Sequence, residues 1–283
     1  MATHLSERDE LKIIYQEIIE GCSPSRKGLF VKHLCELEHI EVTRKRVEFV
    51  RDYIDQGIPT EKERMGHLKD SGEWSEEKDA DITSYRLTIA DNEKMLSTVI
   101  PQQQATVQKL IDINKQELRK LLAERYALIG TTAEEMANRD STSFFSFLSL
   151  FKDRACKIPL FTSWEEFESL DEEDENMYSK DVDDVLNRLR ELTIRKISAL
   201  PFFLNSFSYC KENISAFLNR PIYLLTNYQI HLFSLGVRNL NILSQAEGNP
   251  PEYFDEVSAE DVIKWYDIQY SMILGKRKQA ANV

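Results

Sequence analysis

Apolar residues recur every three or four positions along most of this chain, which is the spacing of helices that bury one face. Leu11, Ile14 and Ile18 show it near the N-terminus, and Val262 and Tyr266 show it near the C-terminus. The pattern predicts helices over about 6–20, 26–56, 61–71, 76–129, 133–152, 181–218, 226–246 and 259–274, with one short helix in an acidic segment at 163–184.

Helix starts are marked by capping boxes, in which Ser or Thr is followed three residues later by Glu, Gln or Asp. They lie at Thr60–Glu63, Thr132–Glu135, Ser163–Glu166, Thr226–Gln229 and Ser258–Asp261. Gly21, Gly57 and Gly130 follow the last apolar residue of a pattern and indicate helix ends. These signals predict an all-α protein.

The longest predicted helix, 76–129, contains Pro101, which predicts a kink and hence a long kinked helical hairpin. Its second half carries a coiled-coil-like stripe in steps of four and three residues. The stripe consists of Val107, Ile111, Asn114, Leu118 and Leu121. Two interpretations stay open: the hairpin packs within one chain, or it pairs between chains with Asn114 setting the register.

Four regions are predicted along the chain. An elongated helical hairpin region spans 1–130, and a connecting helix spans 131–162. An acidic linker at 163–184 leads into a compact helical C-terminal domain at 185–283.

The composition excludes several classes of protein for this chain. The chain of 283 residues has only 9 Gly and 8 Pro and no Asn-Gly or Asp-Gly pair, so it lacks the turns of a β-sandwich or barrel. Neither G-x-G-x-x-G nor G-x-x-x-x-G-K-[ST] occurs, which excludes those phosphate-binding loops. No apolar run is long enough for a transmembrane helix, so no membrane span is expected.

The negative charge of the chain limits the kinds of partner that it can bind. The net charge is −12, and Glu165–Asp184 holds eleven acidic residues against one basic residue. Nucleic-acid binding depends on Lys and Arg at the phosphate backbone, so no direct nucleic-acid binding is expected. The acidic run is either a solvated loop or a docking strip for a basic partner.

Few residues form a pattern typical of a catalytic or metal-binding site. Glu36 and His39 make one Glu-x-x-His pair, but a di-iron helical bundle needs a second pair, which is missing. The cysteines, Cys22, Cys35, Cys156 and Cys210, form no C-x-x-C motif and follow a polar N-terminus, which indicates reduced thiols in the cytoplasm. No catalytic residue, cofactor or metal is expected; a helical metalloenzyme using Glu36 and His39 is a separate, third hypothesis.

Aromatic residues suggest binding. After the break at 248–251, Trp265, Tyr266 and Tyr270 are candidate partner contacts, because aromatic side chains often anchor interfaces. A further set of candidate partner contacts is formed by Val107, Ile111, Asn114, Leu118 and Leu121.

Three stretches carry a resemblance to a known group of proteins. They are Gly-Ile-Pro-Thr-Glu-Lys-Glu at 57–63 with Gly-Glu-Trp-Ser-Glu-Glu at 72–77, Arg-Tyr-Ala-Leu-Ile-Gly-Thr-Thr-Ala-Glu-Glu-Met-Ala at 125–137, and Leu-Thr-Asn-Tyr-Gln-Ile-His-Leu-Phe-Ser-Leu-Gly at 225–236. Together they resemble helical structural and assembly proteins of tailed bacteriophages. The resemblance implies a part of a large assembly, which would be virion-associated, and carries over no functional residue.

The expected function is therefore binding. The chain is interpreted as a non-catalytic structural, adaptor or assembly-chaperone subunit whose partners are other protein subunits or further copies of itself. The alternative is an acidic regulator that binds a basic protein through 165–184.

Overall fold

A computed structural model describes residues 5–96, 99, 101–210, 213–252 and 258–281, with the backbone alone at 101, 102 and 277–281. The α-helices are α1 (Glu7–Glu20), α2 (Glu36–Asp55), α3 (Glu61–Asp70), α4 (Glu76–Leu96), α5 (Pro101–Ile129), α6 (Ala133–Ser149), α7 (Trp164–Glu168), α8 (Glu172–Leu186), α9 (Glu191–Ala199), α10 (Pro201–Phe207), α11 (Ile214–Leu218), α12 (Asn227–Gln245) and α13 (Ala259–Ala281). Short 3-10 turns lie at Asn187–Leu189 and Ile222–Leu224. The strands are β1 (Cys22–Pro24), β2 (Phe30–Lys32) and β3 (Leu150–Phe151). The predicted all-α class is confirmed, with one small sheet added.

The predicted helix starts are confirmed at all five capping boxes. In each, the backbone N–H three residues after the Ser or Thr donates to its hydroxyl over 3.2–3.3 Å. At Thr60 and Thr226 the reciprocal side-chain bond is also present, so two otherwise free donors are satisfied at once.

The sheet is a feature that the apolar pattern did not predict. The expected helix over 26–56 begins only at Glu36, and the preceding residues form an antiparallel hairpin of β1 and β2, extended by β3. Gly28 has φ +75°, which turns the chain between the two strands. Strands of two and three residues are too short to show an alternating pattern.

The chain divides into two compact units. Unit 1 comprises residues 1–44 and 142–283, and unit 2 comprises 45–141. The division differs from the predicted regions because α1 packs against α9 and α12 rather than grouping with the hairpin helices. Helices α2 and α6 each begin in one unit and end in the other.

The larger core of unit 1 is formed by α1, α9, α10, α12 and α13. Ile18, Ile197 and Phe203 are completely buried there. Gly236 of α12 lets the helix approach α10, because a Cβ at this position would lie 2.8 Å from the Phe207 ring.

The acidic segment is helical and takes part in a second core of unit 1, rather than forming a linker. Phe167 of α7 and Val182 and Val185 of α8 pack with Val31 and Leu150 of the sheet. The acidic side chains of α8 lie mostly on its exposed face. Asp171 caps the helix by accepting from the Asp174 N–H over 2.8 Å.

Unit 2 is built on the hairpin of α4 and α5. The expected single helix over 76–129 is two helices, and Pro101 begins α5 instead of bending one helix. This placement suits proline, because the first turn of a helix does not use its backbone N–H. Ile89 of α4 packs against Val107 and Ile111 of α5.

None of the helices in the described ranges is both long and apolar enough to cross a membrane.

Candidate functional site

Unit 1 contains a cleft of about 830 Å³ that is lined by three of the four cysteines. Cys22 comes from β1, Cys35 from the residue before α2, and Cys156 from the loop after β3. His33 and Arg220 also line it. The cleft therefore brings together thiols that are far apart in the sequence.

The left-handed turn at Gly21 places Cys22 at the cleft. Gly21 has φ +72° and ends α1, and its N–H donates to the carbonyl oxygens of Glu17 and Ile18. A Cβ at Gly21 would lie 2.8 Å from a guanidinium nitrogen of Arg220. Glycine is therefore favoured by the left-handed conformation, and a side chain here would also displace the end of the Arg220 side chain.

Side chains from distant parts of unit 1 satisfy the last carbonyl groups of α1. Arg220 donates to the Glu20 carbonyl oxygen over 2.6 Å, and Gln229 of α12 donates to the Ile18 and Ile19 carbonyl oxygens over 2.9 and 3.0 Å. Helix ends otherwise leave such acceptors without partners. These bonds satisfy them and thereby fix the end of α1 beside the cleft.

The other cations of the cleft are paired with carboxylates. Arg154 donates to both oxygens of Glu20, over 2.7 and 2.9 Å, and Lys32 bonds to Glu38. The first pair lowers the pKa of the Glu20 carboxyl, mainly through the hydrogen bond from Arg154. The cleft is thus close to neutral rather than a strong anion site.

Glu17, Ser23 and His33 form a buried polar network beside the thiols. The Ser23 hydroxyl donates to Glu17 over 2.6 Å and lies 2.9 Å from His33 Nε2. Because that hydroxyl proton is committed to Glu17, Nε2 of a neutral His33 must carry its own proton and donate to Ser23. His33 Nδ1 is then an acceptor, and it is buried without a hydrogen-bond partner among the described residues.

Burial and two guanidinium groups keep His33 neutral. They lower its pKa from 6.5 to about 3, with burial as the larger cause and Arg188 and Arg220 as further causes. The network differs from a Ser–His–acid triad, in which the histidine lies between the other two groups. Here Ser23 is in the middle and completely buried, so its hydroxyl is not placed to attack a substrate.

Cys22 and Cys156 interact directly. The hydrogen-bonding interaction with Cys22 is the main cause of a lowered pKa at Cys156; burial opposes this shift, and Lys32 and Arg220 lower the pKa further. The same contact, with burial, raises the pKa of Cys22. All four cysteines are free thiols, of which Cys22 and Cys35 are buried.

Glu36 and His39, the residues of the metal hypothesis, lie in different surroundings. Glu36 is exposed on α2, and the His39 ring packs against Phe145 at 5.8 Å between centroids. Within the ranges that the structure describes, no three His, Cys, Asp or Glu side chains are grouped so that they could hold a metal ion.

The first candidate partner-binding set, on α5, lies mostly inside unit 2. Val107 and Ile111 are buried against α4, and Leu118 and Leu121 are half-buried. The Asn114 side chain donates to the Leu110 carbonyl oxygen over 2.9 Å, within its own helix. The stripe thus packs within the chain, and a contact of these residues with a partner stays a prediction.

The second candidate set lies on α13. Tyr266 is only 2% exposed and packs in the larger core of unit 1. Tyr270 holds the guanidinium of Arg238 over its ring at 4.3 Å, and Arg238 in turn pairs with Asp267. Trp265 is half-buried. A partner role for these three side chains also stays a prediction.

A second apolar face of α13 was not identified in the sequence. Val262, Ile263 and Tyr266 occupy the buried face, whereas Ile268 and Met272 are 55% and 56% exposed. With Trp265 they have the spacing i, i+3, i+7, which places them on one side of a helix.

Comparison of the chain with known proteins found no matching family model, no matching curated protein and no matching solved structure.

Proposed function

We propose that the protein is a non-catalytic structural, adaptor or assembly subunit that binds another protein chain through the outward face of α13, formed by Trp265, Ile268 and Met272. This face carries the proposal: α13 packs one apolar side in the core and exposes Ile268 and Met272 on another side, with the half-buried Trp265, which also contacts the core, at the edge between them. Such a helix gains free energy when a partner covers its second side.

The composition of the face suits protein recognition. Trp265 is a rigid aromatic group that already rests on Tyr266, with ring centroids 5.1 Å apart, so little side-chain entropy is lost when a partner contacts it. Met272 is flexible and adapts to an apolar neighbour. The partner expected here is an amphipathic helix of another subunit, and by the resemblance to phage assembly proteins that subunit belongs to a virus particle.

The buried polar network supports binding rather than hydrolysis as the role of unit 1. Ser23 is inaccessible to a substrate, and His33 is buried and, with a pKa of about 3, is a weak base, so the pair is poorly suited to nucleophilic or general-base catalysis.

Charge substitution on the outward face tests this function. Ile268→Asp with Met272→Asp should abolish recovery of partner subunits when tagged protein is purified from its native source, while circular dichroism and melting temperature are retained. Leu87→Asp is the matched control, because Leu87 is equally apolar and even more exposed but lies on α4 in unit 2. Equal partner recovery with all three proteins would contradict the proposal.

A second candidate function is an acidic regulator of a basic protein. It is favoured by the exposed face of α8, where Glu172, Glu173, Asp183 and Asp184 point to solvent while Val182 is buried. The test is Glu172→Gln, Glu173→Gln and Asp174→Asn, which leaves the Asp171 cap intact. A steep loss of binding and strong salt sensitivity would favour this function over the first, since screening weakens exposed charge pairs.

A further inference from the structure

Cys22 and Cys156 both line the cleft of unit 1, although one begins β1 and the other follows β3. Cys156 is half-buried and lines the cleft, so a small molecule in solution reaches it, whereas Cys22 also lines the cleft but is buried.

The loop holds Cys156 in an unusual backbone conformation. Its φ is +51°, a region that non-glycine residues adopt rarely. The carboxylate of Asp153 fixes the loop by accepting from the Lys157 and Ile158 backbone N–H groups over 3.0 and 2.7 Å, and the Cys156 N–H donates to the Asp153 carbonyl oxygen over 3.0 Å. These bonds hold the loop that carries Cys156.

The surroundings give the two sulfurs different roles. The interaction with Cys22 favours a negative charge on Cys156 most strongly, and Lys32 and Arg220 add to it, whereas burial and Asp153 oppose it. Cys22 keeps its proton while Cys156 is negatively charged. A thiolate is the reactive form of cysteine, so Cys156 is the sulfur that reacts first.

We propose that Cys156 is a site of oxidation by small hydroperoxides and that Cys22 is its resolving thiol, so that the pair forms a reversible Cys22–Cys156 disulfide. In the first step the Cys156 thiolate attacks a peroxide oxygen. A sulfur–oxygen bond forms, the oxygen–oxygen bond breaks, and the leaving oxygen takes a proton and departs as water or an alcohol. Cys156 becomes a sulfenic acid, oxidised by two electrons as the peroxide is reduced.

In the second step Cys22 attacks the Cys156 sulfur. The sulfur–sulfur bond forms, the sulfur–oxygen bond breaks, and hydroxide leaves with the Cys22 proton as water. Oxidation of Cys156 assists this step, because the neutral sulfenic acid no longer holds the Cys22 proton as the thiolate did. A small dithiol reductant reverses the reaction by thiol–disulfide exchange.

Peptide mapping of the purified, fully reduced protein tests the proposal. After brief exposure to hydrogen peroxide and blocking of free thiols, we expect a mass loss of two hydrogen atoms and a linked peptide pair that contains Cys22 and Cys156. Dithiothreitol should restore both thiols. Cys22→Ser should leave Cys156 as a sulfenic acid that dimedone traps, and Cys156→Ser should form no disulfide.

Two further cysteines provide matched controls. Cys210 is half-buried like Cys156 but does not line the cleft, and Cys35 lines the cleft but is buried. Cys35→Ser and Cys210→Ser should therefore keep the Cys22–Cys156 disulfide. The proposal is overturned if wild-type Cys156 is oxidised no faster than Cys210, or if the disulfide that forms joins a different pair. Both readouts use the wild-type chain and do not depend on the folding of a variant.

Discussion

The side-chain amide nitrogen of Gln229 lies 2.9 Å from the carbonyl oxygen of Ile18, so a residue that caps the start of α12 also caps the end of α1. The same side chain accepts from the Thr226 N–H over 3.1 Å. Gln229 is fully buried, and these bonds therefore join two helices of the unit 1 core and support the cleft beside Gly21.

Replacement of Gln229 should destabilise unit 1 strongly. Gln229→Ala removes half of a capping box and leaves buried carbonyl groups without donors, so we expect the free energy of unfolding to fall by about 3 kcal/mol. Urea denaturation measures the change. Gln245→Ala, at the exposed end of the same helix, should cost less than about 0.5 kcal/mol; similar losses for the two variants would contradict the structural role of Gln229.

The neighbours Leu110 and Ile111 distinguish the two faces of α5. Ile111 is 1% exposed and packs on α4, so Ile111→Ala should cost about 2–5 kcal/mol in free energy of unfolding. Leu110 is 47% exposed, and Leu110→Ala should cost less than about 0.5 kcal/mol. The reverse order, measured by denaturation of the two variants, would show that the stripe does not pack within the chain.

The hydroxyl of Tyr266 is buried with no hydrogen-bond partner in the described part of the chain. Burial also raises the pKa of Tyr266. Tyr266→Phe should therefore stabilise the protein by about 1 kcal/mol, because it removes a buried hydroxyl that loses its hydrogen bonds to water on folding and gains none in the protein. The melting temperature checks this, and Tyr209→Phe, at a side chain that is 89% exposed, should leave it unchanged. A destabilised Tyr266→Phe would reveal a bond that the hydroxyl makes.

Stability should fall at acidic pH because of His33. The unfolded chain takes up a proton at this residue near pH 6.5, whereas the folded protein, with a pKa of about 3, does not. As the pH falls from 6.5 toward 3, the unfolded state gains a proton and the free energy of unfolding decreases by up to about 1.4 kcal/mol per pH unit. His33→Gln removes this titration, so its stability profile should be flatter over the same range. Identical profiles would contradict the assigned state of His33.

Local features of the fold could be predicted from the sequence. Thr60 and Thr226 begin helices because a hydroxyl three residues before an acid or amide satisfies backbone donors, and this depends on a few neighbouring residues only. The hairpin of β1 and β2 could not be predicted in this way. Its strands have only three residues each, too few for an alternating pattern, and the further pairing of Val31 with Leu150 joins residues far apart along the chain.

The cleft required the tertiary structure for a similar reason. Cys22 and Cys156 have no motif spacing, and they share the cleft only in the folded chain, where Gly21 ends α1 just before Cys22 and Asp153 holds the loop that carries Cys156. The core face of α13 was apparent from its spacing, but the outward position of Ile268 was not, since only packing against α9 and α12 shows which apolar residues are left exposed.

The most direct test of the proposed binding function is the molar mass, by light scattering, of tagged protein purified gently from its native source. If the protein is such a subunit, it elutes in a complex of fixed composition whose molar mass is well above the 33.0 kDa of one chain. The protein with Ile268→Asp and Met272→Asp should elute without that complex. A folded wild-type protein that elutes as a single 33.0 kDa chain would contradict it.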